Sequence, residues 1–322
     1  MRYERKEAKE FARQNMNGLW VAITNPFLNG GDIDERGLIR NISYLSEGLK
    51  IEGIFCNGIM GEFWALTVSE RKAILEIIVG ESRGRMLVSV VTTHHSLRET
   101  IELTRHAQEI GAEFAVLINP YVGPRSERDI LSYYSAVCNA VDIGIIIFNT
   151  PMAGYSMSPS LIQELAEIEN ICGIKNTDTT DHMAEVRRRV GTRIVVSDPL
   201  EERLFFNMTH FGQQVFYADP EPYLYQTVTR QPIRGYTQLI ERGEVETALE
   251  LFRSLEGIRK VYAKWIMNPL LKGEMPNAFL KYWMELLGMS GGFVRPPLTQ
   301  ITPEHREALK KDLIEVGLIS YI

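Results

Sequence analysis

One lysine in the sequence stands where it could act as a nucleophile. Lys175 directly follows an apolar run, residues 171–174, whereas the other ten lysines lie in segments that are predicted to be helix or surface. A lysine buried among apolar groups has a lowered pKa, and its neutral amine attacks carbonyl carbons to form a Schiff base. The same placement is also typical of a lysine paired with a carboxylate. Position alone therefore leaves both interpretations open.

A turn with two glycines is suited to binding an anion. Residues 58–62 read Gly-Ile-Met-Gly-Glu and follow an apolar run. Glycines in such a turn allow successive backbone N–H groups to point at one carboxylate. Paired glycines after a strand are also common in ordinary tight turns. The turn therefore indicates a carboxylate site only in combination with Lys175.

Further polar side chains stand directly after short apolar runs. If these runs are parallel strands of one barrel, the side chains share the rim where barrel enzymes carry their active sites. His94 and His95 titrate near neutral pH and so suit proton transfer, although they also suit the cap of the following helix. The other candidates at the rim are Thr24, Asn119, Tyr121, Asn149, Asp198, Tyr217 and Asp219.

Eight short apolar runs would position these side chains. They span residues 19–24, 53–57, 87–92, 114–119, 144–149, 171–175, 193–197 and 214–218. Near-continuous apolar runs are typical of strands covered on both faces, and the spacing of roughly 28 residues matches a βαβ unit. We predict an α/β fold, a (β/α)8 TIM barrel. A doubly wound sheet is less well supported, because residues 25–31 lack the Gly-rich phosphate turn.

Helix signals separate the apolar runs and continue after them. Thr67 and Glu70 form a capping box pattern, and Gly111 is suited to end a helix. After Gly243 the strand signals stop, and residues 245–267, 276–289 and 302–316 are predicted to be helices. We predict an N-terminal arm or helix over residues 1–16, the barrel over 17–242 and a C-terminal helical extension over 243–322.

Composition excludes several functional classes. The chain is 45% hydrophobic and 24% charged, which is ordinary globular usage. No apolar run reaches the ~18 residues of a membrane span. The net charge of −6 argues against nucleic acid as a partner. The three cysteines have no metal-ligand spacing and indicate buried thiols in a reducing, cytoplasmic setting. We expect neither a metal nor a nucleotide cofactor.

Taken together, several segments resemble the dihydrodipicolinate synthase/N-acetylneuraminate lyase family. They are Thr24-Asn25-Pro26-Phe27, Gly58-Ile59-Met60-Gly61-Glu62-Phe63, Asn119-Pro120-Tyr121, Phe148-Asn149-Thr150-Pro151, Gly173-Ile174-Lys175 and Val294-Arg295-Pro296-Pro297-Leu298. The resemblance implies class I aldolase chemistry, in which a 2-oxo acid such as pyruvate forms an imine with Lys175 and no cofactor is needed. It also implies a homo-oligomer, a tetramer or dimer. The expected partners are a small 2-oxo acid, with an aldehyde as a second substrate, and not a membrane.

The resemblance also guides the choice of site residues. It places Phe148 where the family has a proton-transferring tyrosine, and a substrate carboxylate against the amides of residues 59–61. The predicted catalytic residues are Lys175, Phe148, His94 and Tyr121. The predicted substrate-binding residues are Thr24, Gly58, Ile59, Met60, Gly61, Asn149 and Tyr217.

The sequence departs from the family pattern in ways that bear on function. Phe148 removes an acid–base group, a loss that typically costs 10²–10⁴-fold in rate. Ile59 and Met60 replace two threonines, and residues 151–155 lack the arginine with which dihydrodipicolinate synthases bind a substrate carboxylate. We predict a Schiff-base lyase (aldolase, hydratase-aldolase or dehydratase) with an unusually apolar site, and not a dihydrodipicolinate synthase proper. The alternative is a catalytically degenerate paralogue that binds a 2-oxo acid or aromatic ligand.

Overall fold

Eight parallel strands form the centre of the computed structural model, which describes residues 2–123 and 125–320. The strands are β1 Gly18–Ala22, β2 Gly53–Cys56, β3 Leu87–Val91, β4 Phe114–Ile118, β5 Gly144–Asn149, β6 Ile171–Asn176, β7 Val195–Ser197 and β8 Val215–Tyr217. They pair in the order β7-β6-β5-β4-β3-β2-β1-β8. The strands thus follow the chain around a nearly closed barrel, and the predicted TIM barrel is confirmed.

The hydroxyl of Ser197 joins β7 and β8, the two strands at the ends of this order. Ser197 Oγ donates to the carbonyl of Val215 at 3.1 Å and accepts from the N–H of Tyr217 at 3.1 Å. Buried backbone groups need hydrogen-bond partners. The side chain therefore supplies partners across the junction where the barrel closes.

Helices surround the barrel and extend beyond it. They are α1 Ala8–Asn15, α2 Glu35–Ser43, α3 Val68–Ser82, α4 Leu97–Ile110, α5 Glu127–Asn139, α6 Pro159–Leu165, α7 Thr180–Val190, α8 Glu201–Phe211, α9 Glu221–Leu224, α10 Pro232–Glu241, α11 Val245–Arg253, α12 Glu256–Tyr262, α13 Asn268–Leu271, α14 Asn277–Leu286 and α15 Pro303–Glu315. The capping box of Thr67 and Glu70 is present at the start of α3. Gly111 ends α4 at a φ of 92°, which favours glycine.

The N-terminal segment contains a helix that closes the amino end of the barrel. Helix α1 packs mainly against β6, with further contacts to β5 and β7. Its buried face includes Ala8 and Ala12, four residues apart. Before the helix, the Tyr3 hydroxyl donates to the carbonyl of Glu113 at 2.5 Å and accepts from the N–H of Gly144 at 2.9 Å. Of the two structures considered for this segment, the helix is the one formed.

The prediction of one continuous helix over residues 245–267 is wrong. Helix α11 ends before Ser254, whose hydroxyl donates to the carbonyl of Leu251 at 2.6 Å. Such a bond competes with the helical ladder. Helix α12 then leads into a π-helical turn, Ala263–Met267, and α13. Another π-helical turn, Tyr44–Gly48, follows α2. In the described part of the chain, no helix is long and apolar enough to cross a membrane.

Candidate active site

The amine of Lys175 lies under three aromatic rings inside the barrel. Lys175 is on β6, directly beside Phe148 of β5 in the strand register. Its Nζ is 4.7 Å from the ring centroid of Phe148, 5.0 Å from that of Phe55 and 5.9 Å from that of Tyr217. The lysine side chain has no exposed surface. An aromatic cage of this kind favours a cation while excluding water.

Asp219 provides the counter-ion of this lysine. Its Oδ1 is 2.5 Å from Lys175 Nζ, and the carbonyl of Ala218 accepts a longer hydrogen bond of 3.4 Å. Asp219 follows β8, and its side chain is 27% exposed. The ion pair that the sequence left open as the alternative for Lys175 is therefore present. Because Nζ is enclosed, a substrate carbonyl reaches it only if the groups around it move.

A second carboxyl group, that of Glu221, lies deeper beside this pair. Glu221 is buried, and its Oε2 has no hydrogen-bond partner among the described residues. Burial raises the pKa of Glu221 well above its ordinary value, and the negative charge of Asp219 raises it further. Glu221 therefore keeps its proton to a higher pH than an exposed glutamate does. Sequence reasoning missed it, although the pattern Asp219-Pro220-Glu221-Pro222 places two carboxyl groups just after a strand.

Glu221→Gln is expected to stabilise the protein progressively as the pH rises. The unfolded chain releases the Glu221 proton near the ordinary pKa of about 4.5, whereas the folded protein retains it to a higher pH. The folded state thus binds more protons, and wild type loses up to about 1.4 kcal/mol per pH unit in this window. Glutamine has no proton to lose. Urea unfolding of both proteins from pH 5 upward measures the difference.

The exposed Glu202 offers a matched control for this experiment. Glu202→Gln removes a carboxyl group from the neighbouring helix α8 without removing a buried acid. Its stability should run parallel to that of wild type over the same pH range. Parallel curves for Glu221→Gln as well would show that Glu221 ionises normally in the folded protein.

The glycine turn after β2 leaves two amides free. The N–H of Gly61 donates to the carbonyl of Gly58 at 3.1 Å. By contrast, the N–H groups of Ile59 and Met60 make no hydrogen bond within the described residues. The sequence placed a carboxylate against the amides of residues 59–61. In the structure the Gly61 amide closes the turn, and the amides of Ile59 and Met60 are the two without a partner among the described residues. Carboxylate binding at this turn stays a prediction.

Two buried asparagines hold this turn in place. Asn25 Nδ2 donates to the carbonyl of Gly61 at 2.6 Å, and Asn277 Nδ2, from α14, donates to that of Met60 at 3.0 Å. A Cβ at Gly58 would lie 3.0 Å from the ring of Phe55, the ring that also lies over Lys175. The turn is therefore fixed against the aromatic cage. No local pattern in the sequence points to Asn277, which is 217 residues away from its partner.

Three predicted binding residues have polar groups that are already bound within the protein. Thr24 donates to Met284 Sδ at 3.2 Å. Asn149 donates to Asn176 Oδ1 at 2.7 Å and accepts from the N–H of Met157 at 3.0 Å. The Tyr217 hydroxyl lies 2.5 Å from Ser89 Oγ in the barrel interior. These contacts tie the three side chains to neighbouring segments, and their contact with substrate stays a prediction.

His94 and Tyr121 lie at a different place on the rim. They line a cavity of about 310 Å³ together with Thr93, His95, Leu97, Pro120, Val122, Asp129, Ser132 and Tyr133. His94 Nδ1 accepts from the N–H of Ser96 at 3.1 Å, just before α4, and burial lowers its pKa. Neither residue contacts Lys175 in the described part of the chain. The predicted catalytic set is thus split, and His94 has the capping contact that the sequence left open.

The chain matches proteins of known family over almost its whole length. A model of the dihydrodipicolinate synthetase family covers residues 15–316. A 4-hydroxy-tetrahydrodipicolinate synthase of Methanococcoides burtonii is 28% identical, with 94% of this chain and 99% of the relative covered. A DapA-like lyase of Thermococcus kodakarensis is 31% identical, with 94% and 100% covered.

Solved structures agree with these sequence relatives. YagE, a prophage protein of Escherichia coli K12 determined in complex with pyruvate, superimposes with a TM-score of 0.80 and 26% identity. The superposition covers 94% of this chain and 99% of YagE. The match extends through the barrel and the C-terminal helices alike. The chain belongs to the dihydrodipicolinate synthetase family.

Proposed function

We propose that this protein is a lyase that forms a Schiff base between Lys175 and a 2-oxo acid such as pyruvate. Membership of the family implies a lyase of this kind acting on pyruvate. The observation that carries the proposal for this chain is the enclosed Lys175 amine, held 2.5 Å from a carboxylate at the end of the barrel strands. The reaction is an aldol cleavage or condensation, or a dehydration, and it requires no cofactor.

The glycine turn supports a binding mode for the 2-oxo acid. The substrate carboxylate would accept hydrogen bonds from the free N–H groups of Ile59 and Met60. Phe55 packs against this turn and also lies 5.0 Å from Lys175 Nζ. The C2 carbonyl next to the bound carboxylate would then face the amine. The positive charge of the iminium would be balanced by Asp219.

The surroundings of the barrel mouth support an apolar second substrate. Trp64, Val122 and Met152 are exposed to 39%, 65% and 48%, and they lie in the segments after β2, β4 and β5. Residues 151–155, after β5, contain no arginine. The guanidinium of Arg125 lies 5.7 Å from the ring of Tyr155 in this segment, but Arg125 is an exposed residue of the loop after β4. We therefore propose an aromatic or other large aldehyde as the second substrate, and not the carboxylate-bearing substrate of a dihydrodipicolinate synthase.

Trapping the imine tests the proposal directly. The folded protein is incubated with pyruvate, reduced with borohydride and digested for mass spectrometry. We expect a reduced pyruvate adduct on the peptide that contains Lys175. The peptide that contains Lys281, the other deeply buried lysine, is the internal control and should stay unmodified. Absence of an adduct with pyruvate and with a panel of larger 2-oxo acids would contradict the proposal.

A second candidate function is that of a binding paralogue with little turnover. The observation that favours it is the closed Lys175–Asp219 pair beside Phe148, which has no hydroxyl. A protein of this kind would form the imine and stop there. An assay of retro-aldol and dehydration activity on unreduced protein, from a preparation shown by trapping to form the imine, separates the two candidates. Turnover with any 2-oxo acid substrate excludes the binding paralogue.

A further inference from the structure

We infer that Asp219 is the acid–base residue of this site, in the role for which Phe148 has no hydroxyl. The inference rests on the proposed function, because it concerns the proton transfers that make and use the Lys175 imine. Asp219 touches the reacting nitrogen itself, at 2.5 Å. It is therefore placed as a catalytic group and not only as a support for one.

The surroundings of Lys175 Nζ contain one side chain that can take up a proton. Among the described residues, Asp219 Oδ1 is the side-chain oxygen within hydrogen-bond distance of Nζ. The carbonyl of Ala218 also accepts from Nζ, but a peptide oxygen is too weak a base to remove the proton. The other neighbours are the rings of Phe55, Phe148 and Tyr217.

Exposure gives the proton a route to solvent through Asp219. The Lys175 side chain has no exposed surface, whereas that of Asp219 is 27% exposed. The carboxylate thus links an enclosed amine to the water at the mouth of the barrel. A proton leaving Lys175 passes first to Asp219, which contacts the amine and is also exposed to water.

The other titratable groups around the site do not compete for this role. The Tyr217 hydroxyl is bound to Ser89, and burial raises its pKa well above the ordinary value. Burial also raises the pKa of Glu221 and of Tyr223, and among the described residues neither side chain makes a hydrogen bond or an ion pair with Lys175 Nζ. His94 and Tyr121 line the separate rim cavity. Asp219 is therefore left as the base that faces Lys175.

Asp219 can carry every proton that moves while the Lys175 imine forms. The Asp219 carboxylate takes a proton from the Lys175 ammonium, and the free amine forms a C–N bond to C2 of the 2-oxo acid. The carboxylic acid then protonates the former carbonyl oxygen, and the carboxylate takes the second proton from nitrogen to give the carbinolamine. The acid protonates the hydroxyl, the C–O bond breaks and water leaves. The products are the iminium, one water and the Asp219 carboxylate.

The same carboxylate is then placed to use the iminium. It takes a proton from C3 of the bound 2-oxo acid, the electrons of that C–H bond form the C2=C3 bond, and the π electrons of the C=N bond move to nitrogen as the enamine forms. In the condensation direction, C3 of the enamine forms a C–C bond to the aldehyde carbon, the Asp219 carboxylic acid protonates the aldehyde oxygen, and the iminium is restored. In the reverse direction, protonation of the enamine by Asp219 returns the iminium. Exchange of the C3 hydrogens of pyruvate with solvent therefore reports on this base.

Asp219→Asn tests the inference with two readouts. The first is the rate of imine formation with pyruvate, measured by quenching with borohydride at successive times. The second is hydrogen–deuterium exchange at the pyruvate methyl group, followed by NMR in D₂O. Loss of a positioned acid–base group should slow both by about 10²-fold or more. Asp219→Glu keeps the charge that neutralises Lys175 but displaces the carboxylate, so it should fold and show a smaller loss.

Glu202→Gln is the control, since it removes an exposed carboxyl group of α8 and leaves the Lys175–Asp219 pair intact. It should trap the imine at close to the wild-type rate. Wild-type rates in the folded Asp219 variants would overturn the role of Asp219 and leave the proposed function intact. Absence of an adduct in wild type itself would instead overturn both. Slow trapping in Asp219→Asn with normal trapping in Glu202→Gln supports the inference.

Discussion

Lys175→Met is expected to abolish imine trapping and turnover while it leaves the folded protein close to wild type in stability. The reaction needs a primary amine, and methionine has none. The cage of Phe55, Phe148 and Tyr217 accepts an apolar side chain of similar length, so packing is kept. The remaining carboxylate of Asp219 is 27% exposed and can be hydrated. Trapping, turnover and urea unfolding measure the three expectations.

The double variant Lys175→Met/Asp219→Asn sharpens this test. Replacing both members of a buried ion pair with neutral groups is often neutral or stabilising by about 1–4 kcal/mol, because neither charge has to be desolvated. We expect the double variant to be at least as stable as wild type. A loss of several kcal/mol in the double variant would instead indicate that the pair is kept for stability. The test thus separates a lysine retained for chemistry from one retained for structure.

The barrel could be predicted because its signals are local. Near-continuous apolar runs marked all eight strands, and the cap of Thr67 lies within four residues of its partner. Lys175 stood out for the same reason, since it ends an apolar run. These features depend on neighbours in sequence, which a single chain displays. The resemblance to the family added the role of the lysine.

The partners of the site residues could not be predicted, because they depend on contacts between distant segments. Asp219 and Asp198 both follow strands, but only Asp219 pairs with Lys175, 44 residues away. Asp198 instead accepts from the N–H of Leu200 and from Asn207. Lys281 was predicted to be one of the lysines in an ordinary helical or surface segment, yet it is 1% exposed. Whether one polar residue of a helix is buried depends on which distant segment of the chain packs over it.

Glu62 and Lys281 form a second lysine–carboxylate pair. Breaking this pair is expected to destabilise the protein, whereas breaking the Lys175–Asp219 pair is not. Their Nζ–Oε1 distance of 2.5 Å equals that of the Lys175 pair, but Glu62 and Lys281 are only 0% and 1% exposed. Lys281 also donates to the carbonyl of Phe293 at 2.6 Å, and Glu62 accepts from the N–H of Arg295 at 3.1 Å. The pair thereby ties the residue after the glycine turn to α14 and to the C-terminal segment.

We expect Glu62→Gln and Lys281→Met each to lower the free energy of unfolding by about 3–5 kcal/mol. Either change leaves a buried charge without its partner and without access to water, which is the costly case. The double variant should lose less than the sum of the two, and a urea-unfolding double-mutant cycle measures this coupling. Lys260→Met, from the exposed pair with Glu256, is the control and should have no measurable effect.

The contrast between the two pairs rests on exposure, since chemistry and distance are the same. Removing the lysine partner of Asp219 leaves a carboxylate that water can reach, whereas removing that of Glu62 leaves one that it cannot. Equal losses in Lys175→Met and Lys281→Met would contradict this argument. If the losses differ as expected, the buried pair holds the glycine turn in place, and the pair at the mouth is free to open. A lysine that must meet a substrate requires the second arrangement.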